Sequence, residues 1–392
     1  MRESTRGRVL SALLRSRPAS RKQLAEATDI SAATVSRTID QLIVDGFVVE
    51  GSALVEERRG RRQVLLDVVA DKSFALGIDM GASRTRCVLV DLTASPVSSI
   101  DLPNPVHLTS SELAVWIGSL ARHTSGAEWP HVGAVALGLP GAVSREHGTV
   151  SNAPNLPQIE TPGFFNACAK ELGRPVVFDN DANYALLGEQ HFGAASGLAN
   201  AAMVTLGAGL GVGLSVDGRI VQGTRGLVGE FGQLPVGPGG ARLETLVTGP
   251  GILRRAEEAG LDLQEPADLF RHSVSPMAGA LRMDFDRALV VALAAVSVAC
   301  DPDVIVIGGG IAKSLRGSLD FYQQELTSTL HMAPSLVATA LGDFAGAAGA
   351  AVGALHLIYA DFEVSDRDMV GLPAAGTLTA DSVVAVALPA DP

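Results

Sequence analysis

The segment FALGIDMGASRTRCVLVDL, residues 74–92, decides the fold of this chain. Two stretches rich in apolar residues, 74–79 and 87–91, flank a glycine-bearing turn at 80–84, which predicts a strand, a tight turn and a second strand. A similar unit, AMVTLGAGLGVGLSV, recurs at 202–216. Two such units predict a duplicated α/β fold with a cleft between its lobes. Their glycine turns expose backbone N–H groups that can bind phosphate, although glycine also serves any β-hairpin.

The sequence FDNDAN at 178–183 places two carboxylates and two carboxamides at one turn. The residues before it are typical of a short buried strand, and the segment from Ala182 onward has helical character. Asp181 could act as a general base towards a sugar hydroxyl or as one arm of a sugar-binding site. Alternatively, Asn180 or Asp181 simply caps the helix, as Asx residues often do. These six residues alone leave both interpretations open.

Further polar loops follow predicted strands. GLPG at 138–141 comes after a strand at 132–137, and NAPNLP at 152–157 contains Asn155, whose amide is both donor and acceptor for hydroxyl groups. Open α/β sheets bind ligands at the edge where such loops gather. We therefore expect these loops to lie beside the polar turn at 178–183.

The second half of the chain contributes more candidates. Glu230 and Glu244 are carboxylates in glycine-bearing contexts, although either could be a solvated loop charge. A buried strand at 304–307 runs into three glycines at 308–310, where a nucleotide or a helix could approach closely. The apolar run 281–300 is typical of a core helix.

Composition indicates a soluble globular protein. The chain has 392 residues, 47% of them apolar, and 43 glycines, which suits two or three α/β domains. It has no uninterrupted apolar stretch of about 20 residues, and charges occupy the N-terminus where a signal peptide is apolar. We therefore expect a cytoplasmic protein with no membrane partner. Cys87, Cys168 and Cys300 are far apart and odd in number, which favours buried thiols over disulfides.

Charge is distributed unevenly along the chain. Residues 1–66 contain 12 Lys and Arg against 8 Asp and Glu, whereas residues 67–392 contain 18 against 34. A basic N-terminus on an acidic body suits a nucleic-acid-binding module attached to another domain.

The N-terminus has the pattern of a helix-turn-helix. Residues 5–15 carry apolar side chains at helical spacing, and Pro18 ends that element. Ser20 and Gln23 match a capping box that opens a second helix, and Ser31 can cap a third. The polar face of the third helix carries small hydrogen-bonding side chains and an arginine that could read DNA: Ser31, Thr34, Ser36 and Arg37.

A hairpin after the third helix completes a winged helix-turn-helix. Residues 47–49 can pair with residues 64–66 around a basic tip. The tip carries four arginines placed to reach phosphates or a minor groove: Arg58, Arg59, Arg61 and Arg62. A helical dimerisation arm and a solvated charge run are the alternatives to DNA binding. We expect a DNA-binding domain at 1–70, a ligand-binding domain at 71–360 with lobes 71–180 and 181–360, and a loosely docked extension at 361–392.

The motifs and their order resemble those of the ROK family of repressors, open reading frames and kinases, over residues 5–355. Eight segments carry the resemblance: GIDMGASRTR at 77–86, GLPG at 138–141, NAPNLP at 152–157, FDNDAN at 178–183, TLGAGLGVGL at 205–214, GEFGQ at 229–233, RLE at 242–244 and VIGGG at 306–310. The resemblance implies a two-lobed actin/hexokinase-like, ribonuclease H-like duplicated sugar-kinase fold. The winged helix resembles the repressor branch, such as xylose and N-acetylglucosamine repressors.

The resemblance also implies roles for individual residues. Asp181 matches the catalytic base of the kinases, which takes a proton from the sugar hydroxyl. Sugar-contacting positions match Asn155, Asn180, Asp181, Glu230 and Glu244, with Gln233 at the position of a family histidine. Phosphate, ATP and Mg²⁺ positions match Asp79, Gly81, Ser83, Arg84, Gly207, Gly209 and Gly309.

Two departures from the family pattern bear on function. The first phosphate loop, usually DxGGTK, here has Ala82 for the second glycine and Arg84 for the lysine, and an added methyl group disfavours close approach to a phosphate. The family's zinc site uses a histidine and three cysteines, whereas Gln233 and the run 238–242 contain neither residue type, so we expect no structural zinc.

These patterns favour a sugar-responsive transcriptional regulator that needs no cofactor. They favour a repressor over an activator. We expect a homodimer or homotetramer on an inverted-repeat operator in double-stranded DNA. One alternative is an ATP- and Mg²⁺-dependent sugar kinase with an attached DNA-binding domain. Another is a regulator that senses a phosphosugar, a non-sugar metabolite or a protein partner.

Overall fold

The computed structural model describes residues 4–51, 64–236, 240–271, 275–374 and 377–389. An N-terminal module precedes two α/β lobes and a C-terminal segment. The arginines predicted at the wing tip, Arg58, Arg59, Arg61 and Arg62, lie outside the described residues.

The N-terminal module is the predicted winged helix-turn-helix. Its elements are α1 (Thr5–Ser16), β1 (Ala19–Ser20), α2 (Arg21–Thr28), α3 (Ala32–Val44), β2 (Val48–Glu50) and β3 (Leu65–Val68). The predicted capping box is present, because Ser20 accepts from the Gln23 N–H and the Gln23 side chain accepts from Ser20 N at 2.8 Å. β3 pairs with both β1 and β2, which places the base of the wing beside α3.

Helix α3 exposes the face predicted to read DNA. It buries Val35, Ile39 and Leu42 in the core of the module. Ser31 caps the helix by accepting from Thr34 N at 3.3 Å. Because the apolar stripe is used for packing, Arg37 on the other face is left exposed.

The first lobe is built on an open sheet with strand order β10-β7-β4-β5-β6. Its elements are β4 (Phe74–Met80), β5 (Arg84–Asp91), β6 (Pro96–Pro103), α4 (Ser110–Ser125), β7 (Val132–Leu139), β8 (Ala142–Ser144), β9 (Thr149–Ser151), α5 (Phe164–Leu172) and β10 (Val176–Asn180). Helix α6 (Asp181–Phe192) follows directly and leads to the second lobe.

The second lobe has a sheet with strand order β13-β12-β11-β16-β17. Its elements are β11 (Ala201–Leu206), β12 (Leu210–Val216), β13 (Arg219–Ile220), β14 (Pro235–Val236), β15 (Ala241–Arg242), α7 (Leu243–Val247), α8 (Gly249–Glu258), α9 (Pro276–Cys300), β16 (Val304–Gly308), α10 (Ala312–Leu315), α11 (Leu319–Leu330), β17 (Ser335–Ala338) and α12 (Ala345–Asp361).

The two sheets repeat one topology, which confirms the predicted duplication. In each, the first three strands are antiparallel neighbours, and the fourth and fifth extend the sheet in parallel on the other side of the first. Each fifth strand is followed by a helix that packs on the other lobe: α6 lies against β11 and β12, and α12 lies against β4, β5 and β7. Loops at the carboxyl ends of the parallel strands of both lobes therefore face one cleft.

Helices α6 and α12 cross in direct backbone contact between the lobes. A Cβ atom on Gly349 would lie 1.7 Å from the Tyr184 carbonyl oxygen, and one on Gly188 would lie 2.5 Å from the Ala345 carbonyl oxygen. Only glycine permits such an approach. Among the described residues, the stretch Gly342–Asp361 is long and apolar enough to cross a bilayer, but most of it is buried in this crossing, as in the core helix of a globular protein.

The C-terminal segment is firmly packed, so the predicted loosely docked extension is wrong. It contains α13 (Asp366–Met369) and α14 (Ala380–Ala385), and its Leu372 and Val383 side chains are fully buried. Ser99 on β6 donates its N–H to Val386 O at 3.1 Å and accepts from Leu388 N at 2.8 Å. The buried residues of this segment are few and irregularly spaced, so they show no periodic pattern from which its packing could be predicted.

We predict that Gly349→Ala lowers the free energy of unfolding by roughly 2–4 kcal/mol, because the new methyl group forces α12 away from α6. Gly279→Ala on α9 is the matched control, since its Cβ meets no atom within 4 Å, and it should be neutral or stabilising by up to about 1 kcal/mol. Urea unfolding followed by circular dichroism measures both. Equal effects of the two substitutions would contradict the tight crossing.

Candidate ligand-binding cleft and recognition helix

A cleft of about 920 Å³ lies between the two lobes. It brings together nearly all the residues predicted to bind sugar or phosphate: Asp79, Gly81, Ser83, Arg84, Asn155, Asn180, Asp181, Gly207, Gly209, Glu230, Glu244 and Gly309. Gln233 does not line the cleft itself, but its Nε2 donates to the cleft residue Glu244 at 2.9 Å. Asn155 reaches across the cleft to within 3.5 Å of the Ala208 carbonyl oxygen.

The turn between β10 and α6 divides the predicted tasks between two residues. The Asn180 side-chain oxygen accepts from Ala182 N at 2.9 Å and Asn183 N at 3.3 Å, so Asn180 is the helix cap. Its Nδ2 donates to Gly141 O at 2.9 Å and holds the neighbouring loop. Asp181 lines the cleft, and its Oδ1 also accepts from Ala182 N at 2.8 Å.

The environment of Asp181 favours its protonated form. Burial raises the pKa of Asp181 to about 8, and the negative charges of Asp79 and Glu230 contribute to the rise. A carboxylate with a pKa near the working pH can accept a proton from a ligand hydroxyl or donate one to it. The site can therefore polarise a hydroxyl group, whether or not a reaction follows.

Asp79, at the end of β4, is the second perturbed carboxylate. Burial raises its pKa to about 6, against the opposing attraction of Arg86. Its Oδ1 is buried without a hydrogen-bond partner among the described residues. Gly346 of α12 lies against it, since a Cβ there would be 2.4 Å from Asp79 Oδ2. A buried carboxylate oxygen with no partner suits a cation or a ligand hydroxyl.

The half of the cleft that is predicted to bind sugar is an amide–carboxylate network. Asn152 donates from Nδ2 to Glu230 and accepts from Gln233 Nε2 at 3.2 Å. Arg242 donates to Gln233 Oε1 at 2.5 Å, which fixes the amide that also holds Glu244. Burial raises the pKa of both glutamates. Such oriented acceptors are what recognition of sugar hydroxyls requires.

Asn152 was not among the predicted site residues, although it belongs to the NAPNLP motif. It adopts a left-handed backbone with φ 61°, which turns its side chain from the first lobe towards Glu230 in the second. The sequence shows an Asn but not this backbone conformation, which Asn tolerates better than most residues.

The first glycine turn is held by contacts within the protein. Gly81 N donates to Arg84 O at 3.0 Å, and Asn104 Nδ2 donates to Gly81 O at 2.7 Å. Arg84 donates from Nε to Asp101 Oδ1 at 2.7 Å and from Nη2 to Asp101 O at 3.1 Å. The arginine expected to contact phosphate is therefore paired with a carboxylate.

A second ion-pair cluster lies beside this turn, from residues that were not predicted. Lys313 Nζ donates to Asp343 Oδ2 at 2.7 Å, and Arg86 Nη2 lies 3.7 Å from the same oxygen. Arg86 also lies 3.3 Å from Asp101 Oδ2. The cations at this end of the cleft are thus compensated by carboxylates that are far away in sequence.

The second glycine turn is compact. Gly207 N donates to Gly209 O at 3.1 Å, and Gly249 N donates to Gly207 O at 2.8 Å. Gly309 has φ 89°, and a Cβ there would lie 2.4 Å from the Leu206 carbonyl oxygen. Packing against β11 is therefore sufficient to require glycine at 309, with or without a nucleotide.

Asp179 forms the floor beneath the polar turn and was also not predicted. It is almost fully buried and accepts from Asn183 Nδ2 at 2.9 Å and from Asn180 N at 2.7 Å. Arg145 donates to the same carboxylate, and Gln222 donates to it at 2.9 Å from the second lobe. Asp179 thus joins the lobes directly behind Asp181.

The recognition helix lies outside the cleft. Arg37 and Ser31 are exposed, and Thr34 and Ser36 are partly exposed on the same side of α3. Arg21 braces the module, since its guanidinium donates to Asp40 Oδ1 at 2.8 Å and to Glu50 Oε1 at 2.9 Å. It is therefore engaged within the module, whereas Arg37 projects freely enough to contact DNA.

Comparison with known proteins follows this division into two parts. Residues 75–356 match the ROK family, and residues 4–63 match the MarR family of winged helix-turn-helix proteins. The chain belongs to the ROK family. ROK proteins include both sugar kinases and repressors, and in this member a MarR-type module precedes the family domain.

Individual relatives come from both groups. The xylose repressor of Caldicellulosiruptor bescii is 29% identical over 231 residues, or 58% of this chain. This chain spans between 57% and 59% of the length of several curated relatives, including that one. A ROK hexokinase from Thermus thermophilus is 30% identical, with a TM-score of 0.62 over 74% of this chain and 99% of its own.

A solved ROK-family transcriptional regulator, homologous to the Escherichia coli MLC protein, has the same overall arrangement. It matches 93% of this chain and 98% of its own with a TM-score of 0.74 at 23% identity, a likeness that shows the fold. The match therefore extends over the N-terminal module as well as both lobes.

We predict that Asp181→Asn stabilises the protein at high pH. Because the pKa of Asp181 is about 8 when folded and near 4 when unfolded, the wild type loses stability as the pH rises from about 4 to about 8. The uncharged amide avoids this loss, so the variant should gain roughly 1–3 kcal/mol at about pH 8.5 and little at about pH 5. Thermal unfolding at both pH values measures it.

Glu325→Gln, which removes an exposed carboxylate on α11, is the control and should show no comparable difference between the two pH values. Equal stabilisation by Asp181→Asn at both pH values would contradict the raised pKa of Asp181.

Proposed function

We propose that this protein is a sugar-responsive, DNA-binding transcriptional regulator, and that it represses carbohydrate-related genes rather than activating them. The observation that carries the proposal is the presence, on one chain, of an exposed recognition helix and a cleft rich in oriented hydroxyl acceptors. The names of the relatives, which include xylose repressors, support it. Because its target is genomic DNA, we place the protein in the cytoplasm.

The phosphate end of the cleft supports sensing over catalysis. Arg84 is occupied by Asp101, and Asp343 neutralises Lys313, so the positive charge that phosphates need is largely compensated. A neutral sugar needs no such charge. We propose that Asp181, Glu230 and Glu244 accept hydrogen bonds from the sugar hydroxyls, with Asn155 adding a donor from the first lobe.

Regulation follows from closure of the lobes around the sugar. Asn152, Asn155 and Asp179 each contact the second lobe from the first, so ligand contacts at the same surfaces would bias the lobe angle. We expect a homodimer or homotetramer that places two α3 helices about one turn of DNA apart on an inverted repeat. If closure changes that spacing, operator affinity falls.

We predict that Arg37→Ala weakens binding to the operator by about tenfold or more, because it removes an exposed contact to a base or phosphate. Fluorescence anisotropy with duplexes selected from random sequence by the wild-type protein measures it. Arg254→Ala on α8, an exposed arginine of the body, is the matched control and should leave affinity unchanged. Unchanged binding by Arg37→Ala would show that α3 is not the reading helix.

We predict that Asp181→Ala binds the same duplex as tightly as the wild type but no longer responds to sugar, since it lacks the central hydroxyl acceptor of the cleft. The panel comprises D-xylose, hexoses, aminosugars and their N-acetyl forms, screened first by thermal shift. A wild-type protein that binds operator with no response to any of them would contradict sugar sensing.

An ATP-dependent sugar kinase with a DNA-binding domain is the second candidate. Two observations favour it: the pKa of Asp181 near 8 suits a general base, and Asp79 Oδ1 has no partner among the described residues and would suit Mg²⁺. Bound MgATP would supply the phosphoryl group, while Asp181 would take the proton of the attacking hydroxyl. A coupled ADP-release assay over the same panel decides, with Asp181→Ala as the inactive control.

A further inference from the structure

Helix α12 runs from the cleft to the DNA-binding module. It spans Ala345–Asp361, a length of about 25 Å. Its first turn lines the cleft with Ala345 and Gly346. Its last turn leads into Phe362 and Glu363, which contact the module. One buried helix therefore touches both functional parts of the molecule.

The cleft end of α12 contacts both lobes. Asp343, in the turn that starts the helix, pairs with Lys313 of the second lobe and lies 3.7 Å from Arg86 of the first. Gly346 lies against the Asp79 carboxylate with no room for a Cβ. A change in lobe angle or in the position of Asp79 must therefore displace this end of the helix.

The same end is tied to the helix that carries Asp181. Glu189, near the end of α6, is fully buried and accepts from Leu341 N at 3.0 Å and Ala340 N at 3.2 Å, as well as from the Thr339 hydroxyl. The loop that precedes α12 therefore moves with α6. Together with the glycine crossing, this contact makes α6 and α12 one mechanical unit.

The other end of α12 holds the module through three contacts. The rings of Phe362 and Phe47 lie 4.3 Å apart between centroids. The backbone of α1 at Gly7 lies against Glu363, so that a Cβ on Gly7 would be 1.9 Å from its carbonyl oxygen. Arg15 of α1 donates to the backbone carbonyls at positions 368 and 370, the latter at 2.9 Å.

The segment after α12 cannot move independently of it. His356 of α12 donates from Nε2 to Leu372 O at 2.6 Å, and His191 of α6 donates from Nδ1 to Pro373 O at 3.2 Å. Both imidazoles are partly buried, and burial lowers the pKa of each. Residues 362–373 therefore form a platform attached to both helices, and α1 sits on that platform.

We propose that α12 and the platform of residues 362–373 form the route by which occupancy of the cleft repositions the DNA-binding module. The module moves as a rigid body because α1 contacts the platform at Gly7 and Arg15, and α3 packs in the same hydrophobic core as α1. The inference deepens the proposed function, on which its regulatory meaning rests. The mechanical coupling itself can be tested without ligand or DNA.

Gly346→Ala perturbs the cleft end of α12, and hydrogen–deuterium exchange reads the module end. We expect exchange to rise about threefold or more in peptides covering Thr5–Ser16 and the platform, with α9 unchanged. Gly279→Ala is the matched control and should alter neither region. If the alanine variant fails to fold, Asp343→Asn replaces it. This substitution removes the charge that pairs with Lys313 without adding bulk, and we expect it to raise exchange in the same regions.

Gly7→Ala loosens the grip at the module end, and alanine favours α1 itself. This variant should bind the selected operator and keep its affinity for D-xylose or D-glucose. The factor by which that sugar changes operator affinity should fall by about tenfold or more. Exchange changes confined to the cleft in both Gly346→Ala and Asp343→Asn would overturn the coupling route. A wild type whose operator binding responds to no sugar of the panel would count against the proposed function, while the exchange result would still decide the route.

Discussion

The contact on which this structure depends is the glycine-mediated crossing of α6 and α12. Gly188 and Gly349 let the two backbones touch, and no side chain can be inserted between them without moving a helix. Because α6 begins at Asp181 and α12 begins beside Asp79, the crossing also sets the distance between these two carboxylates. Packing in the core and chemistry in the cleft are therefore controlled by the same pair of helices.

The cleft brings four partly or fully buried carboxyl groups together. Burial raises the pKa of Asp79, Asp181, Glu230 and Glu244, so the site favours protonation of these groups or the hydrogen-bond donors of a ligand. The end of the cleft that is predicted to bind phosphate is arranged differently, because carboxylates are already paired with Arg84 and Lys313. This contrast favours a neutral polyhydroxy ligand over a nucleotide.

Much of the fold could be predicted from local patterns. The two strand–glycine–strand units indicated the duplication, and the capping box at Ser20 marked the start of α2. The roles at the FDNDAN turn could not be assigned, because whether Asn180 or Asp181 caps α6 depends on backbone angles. The pairing of Arg84 with Asp101 and the packing of the tail against Ser99 depend on contacts between distant segments. Local propensity carries no information about such contacts.

We infer that sugar in the cleft moves the DNA-binding module relative to the body. A distance measured by pulsed electron paramagnetic resonance tests it most directly, with spin labels at Gln41→Cys on α3 and Glu325→Cys on α11 in a Cys300→Ser background. The sugar that raises the melting temperature most in the panel is then added at saturation. We expect the distance distribution to shift by a few ångströms or more, about the size of allosteric helix shifts. Saturating sugar binding with an unchanged distribution would contradict it.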